Sequence, residues 1–172
     1  MSLFARLVFT TVNFAARNGL AEPDAKSSDK NSRKSRAAKV GVRGETYAYW
    51  YLRRHGYVLV ARNFTVPDLK GEVDIIGYDG GVLAFVEVKT RTIREQAHLP
   101  FAASVQSTPE QAVNSEKRSN LRRVARRVMR ARRADPQKCR FDVLAIETRA
   151  GKPPVVRLHK GAFPFGAEDH FS

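Results

Sequence analysis

The stretch GEVDIIGYDGGVLAFVEVKTR, residues 71–91, constrains the fold of this chain more than any other. Two runs rich in β-branched and aromatic residues flank the pair Gly80-Gly81. That pattern predicts a β-hairpin, with strands over 73–79 and 82–89. Glu72, Asp74, Glu87 and Lys89 crowd its open end. With Gly80 and Gly81 as the two loop residues, Asp79 pairs with Val82 and Asp74 stands opposite Glu87. A loop at Asp79-Gly80 instead sets Asp74 opposite Phe85. In both registers Asp74, Glu87 and Lys89 project from one face, because strand side chains alternate with period two.

Ile76, Leu83 and Phe85 share that face, so water screens the two carboxylates poorly. Two facing acids repel unless a cation lies between them. Oxygen-only ligands suit Mg2+ or Mn2+. Lys89 can hold a water or stabilise charge on a phosphate under attack. The alternative reading is structural: these residues end the strands and form a cross-strand ion pair.

The flanking sequence supplies the rest of a domain. Residues 42–55 predict a helix ended by Gly56, with Ala48, Tyr49, Leu52 and His55 along one side. Glu45 lies in its first turn and points to the same side. A carboxylate there either needs a cationic partner or serves the helix N-terminus. Residues 57–64 read as a strand and 67–71 as a loop. Residues 92–114, with Pro100 and Pro109, read mostly as loop, 116–133 as a helix stopped by Asp135-Pro136, and 140–148 and 154–160 as strands. The predicted order is α-β-β-β-α-β-β. Apolar residues are 42% of the chain, enough for one packed domain.

Charge points to an anionic partner. The 172 residues carry a formal net charge of +14, and the excess is not confined to one end. The helix 116–133 buries a stripe of Leu121, Val124, Ala125, Val128 and Met129. It offers Arg122, Arg123, Arg126, Arg127, Arg130 and Arg133 on its other sides. Arginines at i and i+4 repel one another unless a partner relieves them, so phosphate contact is the expectation. Lys117 and Arg118, in the first turn, are expected nearest the hairpin mouth. Arg91 follows the hairpin and can reach a backbone phosphate.

Residues 1–20 read as a short amphipathic segment, 21–40 as a flexible basic linker, 41–165 as the folded domain and 166–172 as a tail. The first segment is interrupted by Thr10, Thr11 and Asn13 and does not suit a secretory signal. The single cysteine, Cys139, makes no intrachain disulfide, and no Cys/His cluster has zinc-ligand spacing. No apolar run approaches membrane-spanning length. A cytoplasmic location is the expectation.

The strings RGETYAYWYLRRHGYVLVARNF, GEVDIIGYDGGVLAFVEVKTRT and RFDVLAI, in that order, resemble the YraN family of predicted bacterial endonucleases. The resemblance covers about residues 41–165. That family is similar in turn to the PD-(D/E)xK nucleases, including archaeal Holliday-junction resolvases. The resemblance implies an α/β, restriction-endonuclease-like core, a mixed central sheet flanked by helices in α-β-β-β-α-β order. It implies a Mg2+- or Mn2+-dependent nuclease acting on DNA, branched or structured DNA included. Asp74 and Glu87 fall at its metal-ligand positions, Lys89 at its catalytic lysine and Glu45 at the acid of the resolvase-like first helix. Val73 stands where the superfamily's name has proline. Asp142 matches a recurrent family position, with a structural hydrogen-bonding role as the alternative. By analogy with the resolvases a homodimer is the expectation. The competing functional class is a nucleic-acid-binding module that keeps the nuclease fold without catalysis.

Overall fold

A computed structural model describes residues 44–93, 113–149 and 151–165. The expectations for residues 1–20, 21–40 and 166–172, and for most of 92–114, lie outside the described residues. Helix α1 spans 44–54. Strands β1 (Val58–Thr65), β2 (Glu72–Asp79) and β3 (Val82–Thr92) follow, then helix α2 (Ser115–Arg132) and strands β4 (Cys139–Arg149) and β5 (Lys152–Phe163). Among the described residues the helices and strands follow in the predicted order. The five strands form one mixed sheet in the order β1-β2-β3-β4-β5. β1 to β3 are an antiparallel meander. In the chain α2 lies between β3 and β4, which are neighbours in the sheet. Among the described residues no helix is long and apolar enough to cross a membrane.

The described residues divide into two compact units. One holds 44–56, 88–93, 144–149 and 151–157; the other holds 57–87, 113–143 and 158–165. In the first, α1 buries Tyr47, Ala48 and Leu52. Tyr49, expected on the buried side, is half-buried, and His55 is exposed. The Tyr49 ring sits edge-on to Trp50, and Arg53 donates to its hydroxyl at 3.0 Å. His55 stacks on Tyr51, with ring centroids 4.1 Å apart. These contacts hold both rings along the helix flank. Gly44 lies so close to Thr90 that a Cβ would fall 1.9 Å from its Oγ1. This close approach brings the first turn of α1 to the end of β3.

In the second unit α2 packs the predicted stripe of Leu121, Val124, Ala125, Val128 and Met129. These side chains join Val73, Ile76, Leu83, Phe85, Phe141 and Phe163 in one core. Phe141 is its aromatic centre: its ring stacks on Phe163 at 4.7 Å and lies 5.6 Å from Phe85. Asn114 caps α2 by accepting from the Lys117 backbone N–H at 2.8 Å. Arg133, in the left-handed conformation at φ 50°, ends it.

The turn end of the hairpin is fixed by a buried polar network. Asp142 is wholly buried. Its carboxylate accepts from Arg140 Nε at 2.8 Å, from the Tyr57 hydroxyl at 3.0 Å and from the Gly161 backbone N–H at 3.0 Å. Arg140 also pairs with Asp79, which precedes the Gly80-Gly81 turn, and Lys160 reaches Asp79 at 2.6 Å. Burial first, and the Asp142 charge second, push the Tyr57 hydroxyl well above its ordinary range. Asp142 therefore has the structural role that its sequence position left open. Arg140→Met would leave it buried without a countercharge, and a loss of about 3–5 kcal/mol in urea unfolding is expected. Hydrogen bonds from Lys160, then from Arg140, hold the Asp79 carboxyl below the usual carboxylate range. Its contribution is present above the unfolded-state pKa and is lost as pH falls through the lowered folded value. Asp79→Asn should cost about 1–2 kcal/mol near pH 7. The difference from the unsubstituted chain should shrink in unfolding titrations below about pH 4.

Candidate functional site

The hairpin adopts the register with Gly80 and Gly81 in the loop, pairing Asp79 with Val82, Ile76 with Phe85 and Ile75 with Val86. Continued by one residue, this register sets Asp74 opposite Glu87. Strand neighbours of this kind have Cβ atoms about 5 Å apart. Both carboxylates are withdrawn from water: Asp74 is 8% and Glu87 3% exposed. Two like charges about 4 Å apart repel by about 4 kcal/mol at an effective dielectric constant of about 20. The pair is stable only with positive charge close by.

α2 supplies one such charge. Lys117 Nζ lies 3.3 Å from Glu87 Oε2 and donates to the Glu72 backbone carbonyl, also at 3.3 Å. The contact with Glu87 is an ion pair rather than an aligned hydrogen bond. Its geometry is built from the backbone upward. Gly71 has φ 114°, and a Cβ there would fall 2.7 Å from the Asn120 Cβ. The loop entering β2 thus passes directly against α2. The Asn114 cap fixes the first turn, and Val113, 1% exposed, anchors the chain before it. Lys117 is the expected mouth residue that the structure brings to Glu87. Arg118 is half-buried on the same turn.

The remaining expected residues lie on β3 after Glu87 and on α1. Lys89 follows Glu87 by two positions along β3 and is half-buried, while Arg91 near the strand end is exposed. Glu45 is half-buried in the first turn of α1. With Gly44 against Thr90, Glu45 and Lys89 belong to segments that meet within the first unit.

Which cation would suit Asp74 and Glu87? The donors are hard oxygens without sulfur or imidazole. Mg2+ commonly takes one or two carboxylates and keeps several waters, so the pair fits Mg2+ or Mn2+. Among the described residues no three His, Cys, Asp or Glu side chains are grouped to hold a metal, so the set is not that of a closed structural zinc site.

A second feature lies along α2. Arg123, Arg126, Arg127 and Arg130 line an open cleft of about 690 Å3. Its other wall is the end of β1, with Phe64, and the β1–β2 connection, with Val66, Pro67, Asp68 and Leu69. Arg126 and Arg130 were expected to face phosphate. Arg122 differs: its Nε and Nη2 donate to the Pro164 carbonyl at 3.2 and 3.0 Å. Part of that guanidinium therefore ties α2 to the chain after β5. Sequence reasoning missed the cleft's second wall, since nothing local in residues 64–69 signals that it will face an arginine helix. It also missed Arg140, although the period-two spacing of Arg140 and Asp142 puts both on one strand face.

Comparison with known proteins places the chain among relatives. A UPF0102 protein of Koribacter versatilis is 46% identical over 130 residues, covering 76% of this chain and 82% of its own. One from Solibacter usitatus is 36% identical over 138 residues, covering 80% of this chain and 96% of its own. One from Symbiobacterium thermophilum is 38% identical over 125 residues, covering 73% and 96%. The model of the family described as "Uncharacterised protein family UPF0102" matches residues 44–146, which takes in α1, the hairpin, α2 and most of β4, and the chain belongs to that family.

Proposed function

We propose that this chain is a metal-dependent endonuclease, with a restriction-endonuclease-like core, that hydrolyses phosphodiester bonds in DNA, branched or structured DNA included. One observation carries the reading: Asp74 and Glu87 are both buried, on paired strands whose register, continued by one residue, would oppose them. A hairpin that only packs gains nothing from two opposed buried acids. Asp74 and Glu87 would hold Mg2+ or Mn2+. That ion would supply Lewis-acid polarisation of the phosphodiester and a more acidic water. Lys89, on the same strand face as Glu87 by alternation, would orient the attacking water or stabilise charge on the phosphate. Glu45 would orient water beside it. The arginines of α2 would hold the backbone without reading sequence.

A second reading has its own support. The cleft lined by Arg123, Arg126, Arg127 and Arg130 needs no metal to attract phosphate. A non-catalytic nucleic-acid-binding protein would use it unchanged.

The readings separate on cleavage. Purified protein incubated with Mg2+ and branched, flapped and single-stranded DNAs should cut at least one of them. Asp74→Asn and Glu87→Gln should reduce cutting to background. Lys89→Ala should slow it by about 10²–10³-fold. Cleavage unchanged by these substitutions, or none with any DNA and either metal, contradicts the nuclease. Joint replacement of Arg126, Arg127 and Arg130 by Gln tests the grip. The slope of log K against log[salt] should flatten by about 0.9 per lost duplex phosphate contact, while turnover at saturating DNA persists. An unchanged slope means that the helix face is merely solvated.

A further inference from the structure

We infer that Lys117 is an exchangeable countercharge: it neutralises Glu87 until a divalent cation takes that carboxylate, and its ammonium then passes to a substrate phosphate. The inference rests on the reading of Asp74 and Glu87 as a metal pair. It assigns Lys117 a task distinct from gripping DNA.

Three observations carry it. First, Lys117 sits where a lysine is disfavoured for local reasons. Asn114 is the N-cap of α2, so Lys117 occupies the third helical position, and the positive end of the helix dipole repels a cation there. Glu116, one residue earlier, is the kind of residue that this turn favours. The cost at Lys117 is offset by a distant partner, Glu87, which is 3% exposed. Second, the contact is compatible with exchange. The ammonium meets Glu87 Oε2 and the Glu72 carbonyl at 3.3 Å each, both long for charge-assisted bonds. The Lys117 side chain keeps 31% exposure, so an aqueous route is open to it. Asp142, by contrast, is wholly buried and gripped by a guanidinium at 2.8 Å. Third, a divalent ion bonded to the Glu87 carboxylate would lie within a few ångströms of that ammonium. Like charges so close in a poorly screened site repel strongly, so the two cations exclude each other there. The four-carbon stem lets the displaced ammonium swing outward, where an incoming phosphate is its natural partner.

The test compares Lys117→Gln, Lys117→Met and the charge-preserving Lys117→Arg with the unsubstituted chain and Asp74→Asn. Calorimetric titration with Mn2+ reads the competition. Removing the competing charge should tighten Mn2+ binding by about tenfold or more in both neutral variants, while Lys117→Arg stays close to the unsubstituted chain. Thermal melting reads the same coupling independently of activity. Both neutral variants should melt lower in EDTA and gain more from Mn2+ than the unsubstituted chain does. DNA binding reads the handover. With Ca2+, the neutral variants should bind DNA more weakly; in EDTA they should bind as the unsubstituted chain does. Equal or weaker Mn2+ binding by both neutral variants overturns the inference, as does a DNA defect of equal size in EDTA. If neither the unsubstituted chain nor any Lys117 variant binds Mn2+, the metal pair itself is wrong and the inference falls with it. Binding lost in Asp74→Asn but unchanged in the neutral Lys117 variants leaves the metal pair standing and overturns the inference alone.

Discussion

Two carboxylates held face to face out of water set the terms for the structure around them. Asp74 and Glu87 lie toward the open end of a hairpin that also carries Ile76, Leu83 and Phe85 on that face. The core gains from burying these apolar side chains, and the same register carries the acids inward with them. The residues of the opposite face, Val73, Ile75, Ala84 and Val86, are buried as well. The sheet therefore requires positive charge at this end. α2 brings Lys117, and the glycine at 71 and the cap at Asn114 give that lysine its reach.

The two ends of the hairpin solve the problem of buried charge differently. At the turn end, Asp142 is surrounded by Arg140, Tyr57 and the Gly161 amide, and Arg140 extends the network to Asp79. Such a set fixes β4 and β5 beside the hairpin turn and is poorly suited to ligand exchange. At the open end Lys117 meets Glu87 at the longer distance of 3.3 Å. Rigidity at one end and an adjustable charge at the other is an arrangement that suits chemistry at the second. The arginine cleft along α2 belongs to the same compact unit as Asp74 and Glu87.

Much of this was legible in the sequence because its causes are local. Gly80-Gly81 predicts the turn, and the turn sets the register from Asp79–Val82 to Ile75–Val86. The α2 stripe follows from the 3.6-residue period, and all five of its predicted core residues are buried. What stayed hidden depends on distant partners. Tyr47 rather than Tyr49 is buried on α1, because both flanks carry aromatic rings and tertiary packing chooses between them. Arg140 meets Asp79 across 61 positions of chain. Arg122 looks like a phosphate ligand in sequence, yet it donates to a carbonyl 42 residues away. Lys117 was expected near the mouth, but its pairing with Glu87 needed the path of the loop through Gly71.

The most direct measurement is anomalous diffraction from crystals of this protein soaked in Mn2+. The account predicts a peak at the hairpin mouth, about 2.1 Å from carboxylate oxygens of both Asp74 and Glu87. It should vanish in Asp74→Asn crystals soaked in the same way. Soaked crystals with no peak between those carboxylates, or with a peak that survives Asp74→Asn, would contradict it.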